Sequence, residues 1–171
     1  MSHYRVAVIH KHDSYDEIAD LLAPYSELLE VEPYIWLSRE DAIAYARKHY
    51  DMGRKHDKTC WEFMAKDHQT DEDGNIYTDY NPNSKWDYWG DIDTCKVKHL
   101  KKKKKGQSVR EWMPTYAVVT ADGTWHSPGD VGWFGSSTES DEQWEEWEKN
   151  YNRFFEKVDP DYYVTIVDCH I

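Results

Sequence analysis

Two residue pairs in this sequence have the types and spacing of metal ligands: His56 and Cys60 stand four apart, and so do Cys95 and His99. Imidazole and thiolate together hold zinc tetrahedrally, so the two pairs would assemble a Cys2His2 site, with Cys169 as a substitute ligand. The expectation is one structural zinc ion, because no pattern supplies the general base that a catalytic metal needs. A geometric condition attaches to the second pair. If Asp91 to Leu100 is an extended strand, residues four apart lie about 13 Å from each other and cannot share an ion. The competing reading is buried cysteines and surface histidines, in a chain with nine His. Cys60 also falls at the start of an expected helix, where the dipole favours a thiolate, but no His and Asn partners accompany it.

The second group is acidic. Glu139, Asp141, Glu142, Glu145, Glu146 and Glu148 project carboxylates from consecutive turns of an expected helix. Such a row would imitate a line of phosphates for a protein groove that holds nucleic acid. Glu139, Glu142, Glu145, Glu146 and Glu148 are therefore the expected partner-binding residues, against the alternative of an ordinary solvated face. The whole chain, 171 residues with 21 basic and 33 acidic side chains, has a net charge of -12. Lys96, Lys98 and Lys101 to Lys105 supply seven of the basic ones; without them 14 would face 33, a balance of -19. A surface of that sign repels phosphate backbones, so a basic protein partner is expected and direct duplex binding is not. Asp71, Glu72 and Asp73 before Gly74 lack the spacing of a calcium loop, and neither a phosphate-cradling glycine loop nor a nucleophile elbow is present. No catalytic residues are assigned, and the chain is read as a binding protein rather than an enzyme.

The elements that must position these residues follow from periodicity and caps. Tyr4 to Ile9 reads as a strand, and Ser14 with Glu17 opens a helix carrying Ile18, Leu21 and Leu22 on one face, stopped by Pro24. Tyr34 to Leu37 reads as a short strand, and Ser38 with Asp41 opens a helix that Gly53 interrupts. Thr59 with Glu62 starts a further short helix, and the Asp-, Asn-, Gly- and Tyr-rich stretch from Thr70 to Trp89 reads as a long loop. Asp91 to Leu100 alternates weakly as a strand, and Lys101 to Gly106 reads as a charged turn. Asp122-Gly123 lies between Thr115 to Thr120 and Gly123 to His126, which predicts a β-hairpin. Ser140 with Gln143 caps a last helix whose Trp144, Trp147, Tyr151, Phe154, Phe155 and Val158 form one stripe, and Tyr162 to Asp168 is a final strand.

This order predicts an α+β fold, an antiparallel sheet with three to four helices packed mainly on one face, in a single domain over residues 1–171. Nine Trp and thirteen Tyr compensate for the mean hydropathy of -0.95 by supplying buriable area. Trp86, Trp89, Trp125, Trp133 and Phe134 sit among Gly, Pro and Asp, and read as core in a chain poor in Leu and Ile, with interface anchors as the alternative. Three cysteines at wide spacing do not form the even framework of a secreted scaffold. No apolar run spans a membrane and no signal peptide is recognisable, so a cytoplasmic protein without membrane contact is expected.

Three stretches, LAPYSELLEVEPYI, YNPNSKWDYW, and YAVVTADGTWHSPGDVGWFG leading to TIVDCHI, resemble a family of small phage and prophage proteins. The resemblance covers most of the chain. It departs from the family pattern where Gly90, Asp91 and Ile92 replace a Gly-Gly-Arg-Trp sequence. Some similar proteins are anti-CRISPR proteins directed at type II RNA-guided nucleases. The resemblance thus implies, inside a bacterial host cell, inhibition of such a nuclease carrying its guide RNA, whose nucleic-acid channels are strongly positive. The expectation from another class is a zinc- or thiol-dependent enzyme of phage metabolism.

Overall fold

Val6 to His10 are buried without interruption along one strand, and a strand buried at every position needs cover on both faces of its sheet. The computed structural model describes residues 3–100, 113–130 and 137–171. The Lys101 to Gly106 turn, Trp133 and Phe134 lie outside the described residues. In chain order the elements are β1 (His3–His10), α1 (Tyr15–Leu22), β2 (Tyr34–Leu37), α2 (Arg39–His49), α3 (Asp57–Ala65), β3 (Ile76–Thr78), β4 (Tyr88–Lys96), β5 (Ala117–Val119), β6 (Trp125–His126), α4 (Asp141–Asn150), α5 (Arg153–Glu156) and β7 (Tyr163–His170). Packing divides the chain, read from its length as one domain, into two compact units: Met1–Leu29 with Pro82–Ile171, and Glu30–Asn81.

The larger unit is built on a five-stranded sheet in the order β4-β7-β1-β5-β6. The α+β class holds, and all pairings but one are antiparallel. The exception is β1 with β5, which run parallel with Val6 opposite Ala117 and Val8 opposite Val119. Strand pairing over long separations cannot be read from local pattern, and the runs VAVI and AVV are apolar throughout, while VTIV, with Thr165 as its one polar residue, is buried at every position rather than alternating. Consequently the helices of this unit divide between the two faces instead of gathering on one. Ile18 and Leu22 of α1 pack with Val6, Val8, Ala117, Val119, Val167 and Cys169 on one side. Trp147 and Tyr151 pack with Ala7, Ile9, Val118, Val164 and Ile166 on the other, joined by Phe154, Phe155 and Val158. Each Val, Leu, Ile or Phe side chain so withdrawn from water contributes about 1.5–3 kcal/mol, and the aromatics make up for the scarcity of Leu.

Local signals are realised where the chain needs no distant partner. Ser14 accepts from the Glu17 N–H at the start of α1, and Ser140 and Gln143 form a reciprocal capping box at the start of α4. The hairpin at Asp122-Gly123 forms between β5 and β6, with Gly123 at φ +84. There the Gly123 N–H donates to Thr120 O at 2.8 Å and Asp122 Oδ1 accepts from Thr120 and Thr124. Only glycine takes that left-handed conformation without steric cost.

In the smaller unit, α2 and α3 enclose a core of Ala42, Ala46, Cys60, Met64 and Ile76, beside the antiparallel pair β2-β3. Strand β3 lies inside the segment that the turn-rich composition assigns to a loop, stabilised by pairing with β2 that its own residues do not announce. Helix α3 begins at Asp57 with His56 as its cap, three residues before the expected cap Thr59. Trp61 donates its indole N–H to Gly74 O at 2.8 Å and lies beneath the Arg39 guanidinium, which fixes the turn at Gly74, where φ is +82. The Asp71 carboxylate is committed to this turn: it accepts from the Asn75 side chain and backbone, which hold it below the usual carboxylate range.

Candidate functional site

The predicted zinc ligands fall into different surroundings. His56 is exposed, and its Nδ1 accepts from the Lys58 N–H at 3.3 Å, serving as the cap of α3. Cys60 is fully buried, and its thiol faces Met52 O and Lys55 O at 3.7 and 3.8 Å. It occupies the fourth position of α3 rather than the first, so the expected placement of the thiol at the very start of the helix is corrected by the earlier cap. His56 and Cys60 belong to the smaller unit, whereas Cys95, His99 and Cys169 belong to the larger.

Within the larger unit the remaining three do not converge. Cys95 lies on β4 and packs against the side of the sheet covered by α4, whereas Cys169 on β7 packs on the side covered by α1. His99 is exposed in the 3-10 turn Val97–His99 that ends the strand. Thus Cys95 is extended while His99 has left the strand, and Cys169 is separated from Cys95 by the sheet itself. Burial pushes the Cys95 thiol up to about 11, reinforced by Asp93. Burial, with Asp168 adding to it, also raises Cys169 far above the ordinary thiol value. Among the described residues, no three His, Cys, Asp or Glu side chains are grouped so as to hold a metal ion.

The acidic residues do form one surface. Trp147 and Tyr151 turn α4 and its C-terminal end inward, so Asp141, Glu142, Glu145, Glu146 and Glu148 are all exposed on the outside, with Lys149 the basic residue in the last turn. Glu139, just before the helix, is partly buried and accepts from the Tyr116 hydroxyl at 2.9 Å. Its desolvation works against the charge, but hydrogen bonds from its own N–H, Ser137 and Tyr116 prevail and depress its pKa. The Glu142 carboxylate is held low by its own backbone N–H and by Ser140 at the helix start, where the dipole favours an anion. Among the described residues, Asp141, Glu145, Glu146 and Glu148 enter no ion pair.

A second constellation is assembled at the end of the sheet from residues that spacing did not single out. His3 stands directly opposite His170 across β1 and β7, and His170 stands opposite Tyr88 of β4. His3 Nδ1 donates to Asp168 at 3.0 Å, and His170 Nδ1 donates to Asp87 at 2.6 Å, since a carboxylate can only accept. The Asp87 N–H returns a bond to His170 O at 3.0 Å. The two imidazoles meet edge to face with centroids 5.1 Å apart. Around them, Lys85 pairs with Asp130 at 2.6 Å, Tyr4 donates its hydroxyl to Lys85 O, and Trp86 donates its indole N–H to Leu22 O at 3.2 Å. Burial, followed by the charges of Cys169, Tyr116 and Asp87, pushes the Tyr4 hydroxyl far above its ordinary value, so it remains a donor.

The signal for this second site was present in the sequence as two quoted segments, YNPNSKWDYW and TIVDCHI, which supply Lys85, Asp87, Asp168 and His170. What was missing is that β4 and β7 are adjacent. Trp86, Trp89 and Trp125 pack against the sheet core rather than standing free, which is the core reading of these aromatics. Among the described residues, no helix is long and apolar enough to cross a membrane. No family model, no curated protein and no solved structure matches the chain.

Proposed function

We propose that this chain is a binding protein that presents the outer face of α4 to a cationic cleft on a protein that handles nucleic acid. The observation that carries this reading is the exposure of Asp141, Glu142, Glu145, Glu146 and Glu148 on a helix anchored from its other side by Trp147. Carboxylates at helical spacing on a rigid support offer a fixed row of negative charge, and a groove that accepts a phosphate backbone is its electrostatic complement. The net charge of -12 adds long-range steering towards such a groove.

Within that class, the partner we place first is a type II RNA-guided nuclease with its guide RNA, in the cytoplasm of a bacterial host. Support for that choice is the resemblance to phage and prophage proteins, together with the positive channels in which such nucleases hold heteroduplex and displaced strand. Docking there would block loading of target DNA or the change to the cleaving state. The test is a cleavage assay in which the purified chain is added before or after target DNA. Inhibition only on prior addition supports blocked loading, and inhibition in both orders supports a blocked cleaving state. Full cleavage in both orders, with no co-elution of chain and nuclease at low salt, rejects this partner.

A further inference from the structure

We propose that His3 and His170 form a binding site for a single divalent transition-metal ion, with zinc as the first choice. Three observations converge on it. Each imidazole donates its Nδ1 proton to a carboxylate, His3 to Asp168 and His170 to Asp87, which leaves the lone pair on each Nε2 for a ligand. A carboxylate behind the ring is the arrangement that orients a metal-binding histidine.

The spacing of the rings is the second observation. Two imidazoles bound through nitrogen to one tetrahedral ion at about 2.0–2.1 Å place their ring centres roughly 5 Å apart. The centroids of His3 and His170 are separated by 5.1 Å with an interplanar angle of 65°, a consequence of their direct pairing across antiparallel strands. The third is an orphaned atom. His170 Nε2 is the buried side-chain nitrogen or oxygen among the described residues that has no hydrogen-bond partner in the protein, a state that native structures avoid unless something else satisfies the atom.

Charge selects the occupant. Asp87 and Asp168 sit behind the rings, and Arg5, opposite Asp168 in the ladder, offsets part of their charge. A lone pair flanked by carboxylates takes a cation and rejects an anion. Imidazole nitrogen prefers zinc, copper or nickel to magnesium or calcium. With two protein ligands the ion adds to an already folded chain and is held more weakly than in a four-ligand structural site. The site is distinct from the His56, Cys60, Cys95, His99 and Cys169 set, none of which takes part.

The experiment is a calorimetric titration of Zn2+ into the full chain, prepared without a histidine tag and stripped with a chelator. The expected result is one ion per chain, affinity at least tenfold weaker in His170→Gln and separately in His3→Gln, parent-like binding in His56→Gln and His99→Gln, and no heat from Mg2+. His3 is exposed at the start of β1, so His3→Gln retains the parent's circular dichroism even where His170→Gln does not. Absence of zinc binding, undiminished affinity in His3→Gln, or equal binding of Mg2+ overturns the proposal.

Discussion

The outer face of α4 and the end of the β4-β7-β1 ladder both bring carboxylates to the surface of the larger unit, but they do so by different physics. On α4 the carboxylates are neighbours in sequence, separated by solvent, and bonded locally when bonded at all, as Glu142 is to Ser140. At the sheet end, Asp87 and Asp168 come from segments far apart and each is matched to an imidazole from another strand. The first arrangement produces a field that sums over independent charges. The second produces a directional, coupled geometry in which removing one member strands another. A field suits a macromolecular partner, and a directional pair suits a small ligand or ion.

The sharpest way to break this contrast is to remove the support of the helix. Trp147 is buried against the sheet and donates its indole N–H to Thr115 O at 2.9 Å. Trp147→Ala is expected to cost about 3–5 kcal/mol in a urea denaturation series, through lost burial and an unfilled cavity. It should weaken docking as well, because the row of charge loses its rigid base. Next in size, Glu145→Lys, Glu146→Lys and Glu148→Lys combined are expected to lower affinity for a cationic partner by more than tenfold in a binding titration. Each should change stability by no more than about 0.5 kcal/mol, as exposed sites do. A large loss of stability would show that the outer face is structural.

Asp87→Asn tests the other region. It is expected to destabilise by about 1 kcal/mol, and its effect should be non-additive with His170→Gln by at least about 0.5 kcal/mol in a double-mutant cycle. Additive behaviour would remove the distinction between the two regions. The smallest effect concerns acid. Glu139 has a pKa depressed below its ordinary value, as does Glu17, which accepts from the Lys11 and His12 backbone N–H groups against its desolvation. For a carboxylate depressed on folding, the stabilisation is complete above the unfolded value of about 4.3 and disappears as pH falls through the folded one. Melting temperature should therefore decline below about pH 4.5, and the decline should be shallower in Glu139→Gln.

Much of the architecture is written in short-range pattern. The Ser14 and Ser140 caps, the Asp122-Gly123 hairpin and the final strand stand where local pattern places them, whereas the aromatic stripe expected on one last helix is divided: Trp144 and Trp147 lie on α4, Phe154 and Phe155 on α5, and Val158 beyond both. Strand β3 escaped because its three residues lie among turn formers and hold their shape by pairing with β2. The start of α3 moved to His56 because an imidazole nitrogen can accept the capping bond that Thr59 was expected to make. Cys95 and Cys169, plausible co-ligands by composition, are divided by a sheet whose strand order no local window contains.

What the sequence determined by itself is therefore everything that depends on a few successive residues: charge, helix faces, caps and turns, and with them the acidic surface of α4. What only the tertiary structure decided is which distant segments meet. The parallel β1-β5 pairing, the burial of the sheet on both faces, and the meeting of His3, Asp87, Asp168 and His170 depend on strand order and register. Those are settled by the collective burial of apolar residues over the whole unit, a long-range balance to which a single neighbourhood contributes too little to reveal the outcome.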